Sequence, residues 1–117
     1  MEDCIFCKII NKELPSEIIY ENDKIIVFKD VNPKAEIHLL IVPKKHIENI
    51  NVITDEDKGL LSEMLIVAKK IAIDLKINLD TQGYKLIFNV GRGAGQTINH
   101  IHLHLLSGFS NQSLSEI

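Results

Sequence analysis

Residues 100–106 read His100-Ile101-His102-Leu103-His104-Leu105-Leu106, three histidines at every second position with aliphatic residues between them. Side chains alternate across a strand, so this spacing sets three imidazoles on one face and Ile101, Leu103 and Leu105 on the other. Same-face neighbours stand roughly 6.5–7 Å apart, so one anion the size of a phosphate could touch more than one ring. Histidine, with an ordinary pKa of about 6.5, is available at neutral pH as nucleophile, proton donor or metal ligand. A strand kept for structure alone gains nothing from three titratable rings on one face. The stretch reads as a solvated polar face, a metal-binding strip or an anion site, and the neighbouring sequence weighs among them.

The loop in front of it, Asn89-Val90-Gly91-Arg92-Gly93-Ala94-Gly95-Gln96-Thr97, carries three glycines at alternate positions, then an amide and a hydroxyl. Glycine tolerates positive φ, which lets successive backbone N–H groups converge on an anion. The run lacks the strand-to-helix setting of a dinucleotide fingerprint and the Lys-Ser/Thr of a Walker loop. Alone it would be a hairpin connection. Beside three histidines it favours a phosphate-sized ligand.

A chain of 117 residues is read as one domain, 1–117. Burial of about two thirds of the unfolded surface is expected at this size. With 45% apolar residues, a core forms without disulfides. The formal net charge of −3 argues against a nucleic-acid groove binder. Lys44-Lys45 and Lys69-Lys70 are solvated surface lysines rather than basic patches. Met1-Glu2-Asp3 is acidic, and no apolar stretch is long enough for a signal or a membrane span. The expectation is a cytoplasmic protein without a membrane partner, whose two cysteines stay reduced.

Cys4 to Asn11 suits a short amino-terminal helix, stopped before Pro15. Ile18–Glu21 and Ile25–Lys29 are apolar runs split by Asn22-Asp23, a tight-turn pair, and read as a β-hairpin. His38–Val42 gives a third strand ending at Pro43. Thr54 caps a helix with Asp55, Glu56 and Asp57 at its positive end. Leu60, Leu61, Met64, Leu65, Ala68, Ile71, Ala72 and Leu75 keep helical spacing, which predicts one long amphipathic helix to about Ile77. Tyr84–Val90 and Ile98–Leu106 are the fourth and fifth strands. The polar stretch 108–117 reads as a poorly ordered tail. The order is α+β with an antiparallel sheet.

Cys4-x-x-Cys7 admits three readings. A thioredoxin-like redox pair needs a βαβ setting, which is missing. Two unrelated buried thiols remain possible. The third reading is half of a closed tetrahedral zinc site, which two histidines would complete.

The triad stretch resembles the signature His-φ-His-φ-His-φ-φ of the histidine triad (HIT) superfamily. The resemblance extends over Cys4-Ile5-Phe6-Cys7-Lys8-Ile9, Val27-Phe28-Lys29-Asp30-Val31-Asn32-Pro33, His38-Leu39-Leu40-Ile41-Val42-Pro43-Lys44-Lys45-His46 and Gly95-Gln96-Thr97. Together these blocks point to its nucleotide-binding branch, short single-domain proteins. The resemblance implies a HIT-like fold: a five-stranded antiparallel sheet, one long helix and a short amino-terminal helix, paired into a homodimer.

It also implies a purine nucleotide substrate and hydrolysis of nucleoside 5′-phosphoramidates through a nucleotidyl-histidine. Hydrolysis of dinucleoside polyphosphates, or nucleotide binding with little turnover, are the alternative outcomes. His102 would be the nucleophile, which requires a neutral ring with its Nε2 lone pair aimed at phosphorus. His104 and His38 would stabilise charge on the phosphoryl oxygens and manage the leaving group's proton. Asn89, Gln96 and Thr97 match positions that hydrogen-bond the phosphate or leaving group, with the Gly95 backbone close by. Thr97 stands where the family commonly has serine; the hydroxyl is kept and a methyl is added. Asp30 would accept both ribose hydroxyls, and Ile5, Phe6, Ile9, Phe28 and Val31 would line the base pocket. In zinc-bearing members, His46 and His100 complete the site begun by Cys4 and Cys7, leaving only His102 and His104 of the triad for chemistry.

Overall fold

The hairpin expected around Asn22-Asp23 forms because Asn22 closes it with its own side chain. Its Oδ1 accepts the backbone N–H groups of Lys24 and Ile25, each at 2.8 Å, an Asx turn that fixes the reversal. Strands β1 (Ile18–Glu21) and β2 (Ile25–Lys29) pair antiparallel across it. The computed structural model describes residues 3–109. It continues with β3 (Ile37–Pro43), β4 (Lys85–Ile87) and β5 (Leu103–Ser107), and with two helices, α1 (Ile5–Ile10) and α2 (Lys58–Asp74). The sheet order is β1-β2-β3-β5-β4, antiparallel at every pairing.

Strands β2 and β3 lie in the middle of the sheet, and their apolar runs are continuous rather than alternating because both faces are covered. On one face Ile25, Val27, Leu39, Ile41, Leu103 and Leu105 pack against Met64, Val67, Ala68, Ile71 and Ala72 of α2. On the other, Ile26, Phe28, Leu40 and Val42 pack against Phe6 and Ile9 of α1. The single turn and a half of α1 covers only part of that second face, and the rest opens into the cavity described below.

The first helix (Ile5–Ile10) and third strand (Ile37–Pro43) fall within a residue of the sequence reading at each end, and three other elements differ more. The fifth strand begins at Leu103, not Ile98. The Ile101 N–H bonds to the Ile47 carbonyl at 2.7 Å, outside the sheet ladder, so residues 98–102 bend away and only His104 of the triad sits in a regular strand. The fourth strand is trimmed from Tyr84–Val90 to Lys85–Ile87, because the glycine loop folds on itself: the Asn89 Nδ2 group donates to the Ala94 carbonyl at 2.9 Å. The long helix opens with a 3₁₀ turn over Asp55–Asp57 and ends at Asp74 rather than Ile77. Lys76 adopts a positive φ of 58°, and the Ile77 N–H closes on the Ala72 carbonyl at 3.2 Å, a left-handed helix stop. Residues 110–117, most of the expected tail, lie outside the described residues. No helix among those described is long and apolar enough to cross a membrane.

Met64 is fully enclosed between α2 and the sheet. Met64→Ala should lower unfolding free energy by about 2–4 kcal/mol, since a large apolar side chain is removed from a site that cannot collapse around it. Urea unfolding, read as a lowered midpoint at constant slope, checks this.

Candidate active site

Sheet register sets the site. Leu40 on β3 stands opposite His104 on β5, and Phe28 on β2 stands opposite Leu40. These side chains therefore share the face that α1 leaves partly open. A cavity of about 410 Å³ lies there, within the ordinary range for a small-molecule site. Ile5, Phe6, Ile9, Phe28, Asp30, Val31, Thr97, His102 and His104 all line it. Val31 is 85% exposed at its mouth.

His102 and His38 each have one ring nitrogen committed to a backbone group, which fixes the proton, and His38 in turn fixes that of His104. The Nδ1 of His102 lies 2.8 Å from the His100 carbonyl. A carbonyl only accepts, so Nδ1 carries the hydrogen and Nε2 keeps a lone pair. The Nδ1 of His38 accepts the Lys34 backbone N–H at 3.0 Å, which puts the His38 hydrogen on Nε2. That nitrogen faces Nδ1 of His104 at 2.9 Å and Oδ2 of Asp30 at 3.4 Å. His104 therefore accepts at Nδ1 and presents its own N–H at Nε2. Asp30 is further fixed by its Oδ1, which accepts the Asn32 N–H at 2.8 Å.

Burial holds these rings neutral. His102 and His38 are pushed below the ordinary histidine range mainly by desolvation; Asp30 opposes the shift at both, and the His100 carbonyl opposes it at His102. His104 falls to about 4, through burial and then through the neighbouring His102 and His38. A neutral His102 is the nucleophilic form, and a neutral His104 is a hydrogen-bond donor rather than a fixed cation.

The glycine loop does not present all of its polar groups to the cavity. Gln96 is buried, and its Nε2 donates to the carbonyls of Glu48 at 2.7 Å and Ile98 at 2.9 Å. Its Oε1 accepts the Gly91 N–H at 2.9 Å. Both amide hydrogens are thus used in shaping the loop. Gly95 has φ +94° and Gly91 φ +91°, conformations that a side chain would strain. Asn89 and Gly95 line the loop rather than the cavity, and Thr97 is the member that reaches it.

Four further side chains converge beneath α1. Cys4, Cys7, His46 and His100 bring their ligand atoms within 4.8 Å of one another. The Nδ1 of His100 is 3.3 Å from the Cys4 sulfur and 3.7 Å from the Cys7 sulfur, and the Nδ1 of His46 is 3.4 Å from the Cys7 sulfur. A tetrahedral zinc with ordinary bond lengths has sulfur–nitrogen edges of about 3.5 Å, so the donor set and spacing fit one. The Nε2 of His100 donates to the Pro43 carbonyl at 2.8 Å, which leaves Nδ1 as the lone-pair nitrogen facing the sulfurs. Burial drops His100 to about 4, and burial with the Cys4 side chain raises the Cys7 thiol to about 11. A bound cation would favour the thiolates.

The sequence reading did not single out Leu14, Pro15, Ser16 and Leu40, which also line the cavity. Leu40 was legible as a same-face neighbour of His38 and Val42 on β3. The Leu14-Pro15-Ser16 turn carried no periodic signal, and only the return of β1 alongside β2 brings it to the site.

Comparisons with known proteins agree with this geometry. The family described as scavenger mRNA decapping enzyme C-terminal binding matches residues 3–116. An HIT-like protein of Synechocystis is 46% identical over 107 residues, 92% of this chain and 91% of that one. The purine nucleoside phosphoramidase of Escherichia coli K12 is 44% identical over 107 residues, 92% of this chain and 88% of that protein. The crystal structure of an HIT family hydrolase from Legionella pneumophila superimposes with a TM-score of 0.88 at 46% identity, covering 95% of this chain and 97% of that one. With its triad, its five-stranded antiparallel sheet and these relatives, the chain belongs to the histidine triad superfamily.

Proposed function

We propose that the protein hydrolyses nucleoside 5′-phosphoramidates, releasing the nucleoside monophosphate and an amine. The observation that carries this reading is the hydrogen bond from His102 Nδ1 to the His100 carbonyl, which leaves Nε2 as a lone pair inside the cavity. The purine nucleoside phosphoramidase named among its relatives supports the substrate class. The base enters among Ile5, Phe6, Ile9, Phe28 and Val31, and Asp30 takes the ribose hydroxyls. This places the α-phosphate against the histidines. His102 Nε2 attacks phosphorus, and the P–N bond breaks as the leaving nitrogen takes the one extra proton that the His104–His38 pair picks up from water as the anionic substrate binds. Asp30, 3.4 Å from His38, favours the proton-carrying form of that pair. Water then attacks phosphorus, frees His102 and returns a proton to the pair. Thr97 hydrogen-bonds the phosphate, while Asn89, Gly95 and Gln96 hold the loop that presents it.

His102→Ala should reduce turnover of adenosine 5′-phosphoramidate by several orders of magnitude yet keep AMP binding within a few fold. Mass spectrometry of acid-quenched wild-type enzyme should find one nucleotidyl group on His102, and its absence with turnover intact would exclude the covalent route. Faster hydrolysis of diadenosine polyphosphates than of phosphoramidates would favour the alternative substrate class.

Zinc at Cys4, Cys7, His46 and His100 is proposed as a structural ion, holding α1 against the sheet and taking no part in bond breaking. Protein purified without added metal should carry about one zinc per chain. Chelation should lower the melting temperature and weaken AMP binding, because the α1 wall of the base pocket is released. Unchanged melting after complete metal removal would refute the assignment.

Homodimerisation is also part of this reading. Leu65, Ile66 and Ile73 of α2 are 44%, 60% and 63% exposed, an apolar outer surface that a second copy would cover. Light scattering should report twice the chain mass at micromolar concentration. The two cysteines, as thiols or ligands, suit the reducing cytoplasm.

A further inference from the structure

We propose that Ser16 is a sugar-reading residue that works beside Asp30, giving the nucleoside pocket a second polar contact to the ribose hydroxyls. The inference rests on the nucleotide reading above and concerns a residue that lies outside the family's signature motifs.

The placement follows from register. Ile18 on β1 stands opposite Phe28 on β2. Just beyond the strand end, the Lys29 backbone N–H bonds to the Glu17 carbonyl at 3.1 Å, so Glu17 stands opposite Lys29. The Lys29 and Glu17 side chains meet at 3.0 Å in an ion pair, which puts both on the same face. One residue further along, Ser16 comes opposite Asp30, and alternation turns both to the other face. Both line the same cavity, as this requires. Asp30 is held on its other side by β3, where its N–H bonds to the His38 carbonyl at 3.0 Å. Across the open face the order is therefore Ser16, Asp30, His38.

The chemistry is that of a cis-diol. Asp30 already accepts the Asn32 N–H through one oxygen and faces His38 through the other, so its capacity for two further donors is reduced. A ribose presents two hydroxyls, each able to donate and accept. Ser16 is half-buried, and among the described residues its hydroxyl has no hydrogen-bond partner. The surrounding wall is apolar, formed by Leu14, Pro15 and Ile9. A lone hydroxyl in such a wall, one cross-strand step from the carboxylate, can accept from one sugar hydroxyl while Asp30 accepts from the other.

The test is a binding comparison by titration calorimetry, using AMP and 2′,3′-dideoxy-AMP with wild type and Ser16→Ala. The substitution should weaken AMP about three- to tenfold, the effect of one hydrogen bond. It should leave the affinity for the dideoxy nucleotide unchanged within twofold, because that sugar has nothing for Ser16 to read. Ser16→Thr, which keeps the hydroxyl, should bind AMP closer to wild type than Ser16→Ala does. An equal loss on both nucleotides would overturn the proposal, since it would mean that Ser16 acts on the base or on the packing of its loop. Unchanged AMP binding in Ser16→Ala would overturn it as well. Failure of wild type to bind either nucleotide would instead refute the nucleotide reading on which the proposal stands.

Discussion

The site depends on backbone groups that decide which nitrogen of each histidine carries its proton. Three main-chain hydrogen bonds do this: Pro43 carbonyl to His100, His100 carbonyl to His102, and Lys34 N–H to His38. Imidazole is symmetric enough that either tautomer forms in water. Against a fixed carbonyl or N–H only one fits, and the wrong one would leave a buried polar group unpaired. The first two bonds leave His100 Nδ1 and His102 Nε2 as lone pairs. The third makes His38 a donor to His104, so His104 in turn offers an N–H. Three of the five histidines thereby have their tautomer set by the main chain, and His104 follows through His38, a division that suits the proposed roles of ligand, nucleophile and proton carrier.

The Cys4, Cys7, His46 and His100 cluster and the His102 ring are mechanically one unit. His100 supplies a side chain to the cluster and a carbonyl to His102. Phe6, one residue from Cys7 and two from Cys4, packs edge-on against His102 at 5.1 Å between ring centroids, against Phe28 at 5.4 Å and against His100 at 5.8 Å. A six-residue helix is far too short to be stable on its own. Cys4 starts α1 by accepting the Cys7 N–H at its sulfur, 3.3 Å away. The same two sulfurs then face His100 and His46. Whatever anchors those sulfurs also fixes one wall of the cavity and the backbone that orients His102.

Much of this was legible in the sequence, and the parts that were not share a cause. The hairpin over Ile18–Lys29 and the long helix carry local signals, Asn22 at the turn and 3.6-residue periodicity; the hairpin strands formed with the bounds read, and the helix with its end shifted by a few residues. The triad's alternation was read as a regular strand with three rings on one face. His104 obeys that reading. His100 departs from it because a tertiary bond, Ile101 N–H to the Ile47 carbonyl, outcompetes the sheet ladder and frees the segment to bend toward the cysteines. Gln96 illustrates a second limit: its side-chain type says that it can hydrogen-bond a phosphate, whereas the groups actually in reach are the carbonyls of Glu48 and Ile98. Pairings between residues about fifty positions apart leave no trace in local pattern. Ser16 escaped notice for the same reason, since its neighbour Asp30 is set by register.

Enclosing this many imidazoles has an energetic sign that favours the chemistry. Burial moves His38, His100, His102 and His104 below their ordinary range, so the folded state binds fewer protons than the unfolded chain in the acidic interval. Stability from this source is fully present above about pH 6.5, the unfolded histidine value, and is lost as pH falls toward the depressed folded values. Near neutrality the rings are uncharged at little cost, and a neutral ring is what a nucleophile requires. The same enclosure would hinder proton delivery if every ring stood alone. The site avoids this by joining His104 to His38 at 2.9 Å and setting Asp30 against the pair, so that a proton arriving on either ring is shared and faces a carboxylate. His102, turned toward the His100 carbonyl, stays outside that pair and keeps its lone pair free. One low-dielectric pocket thus holds His102 apart from the His104–His38 pair, the separation that the proposed division between nucleophile and proton carriers requires.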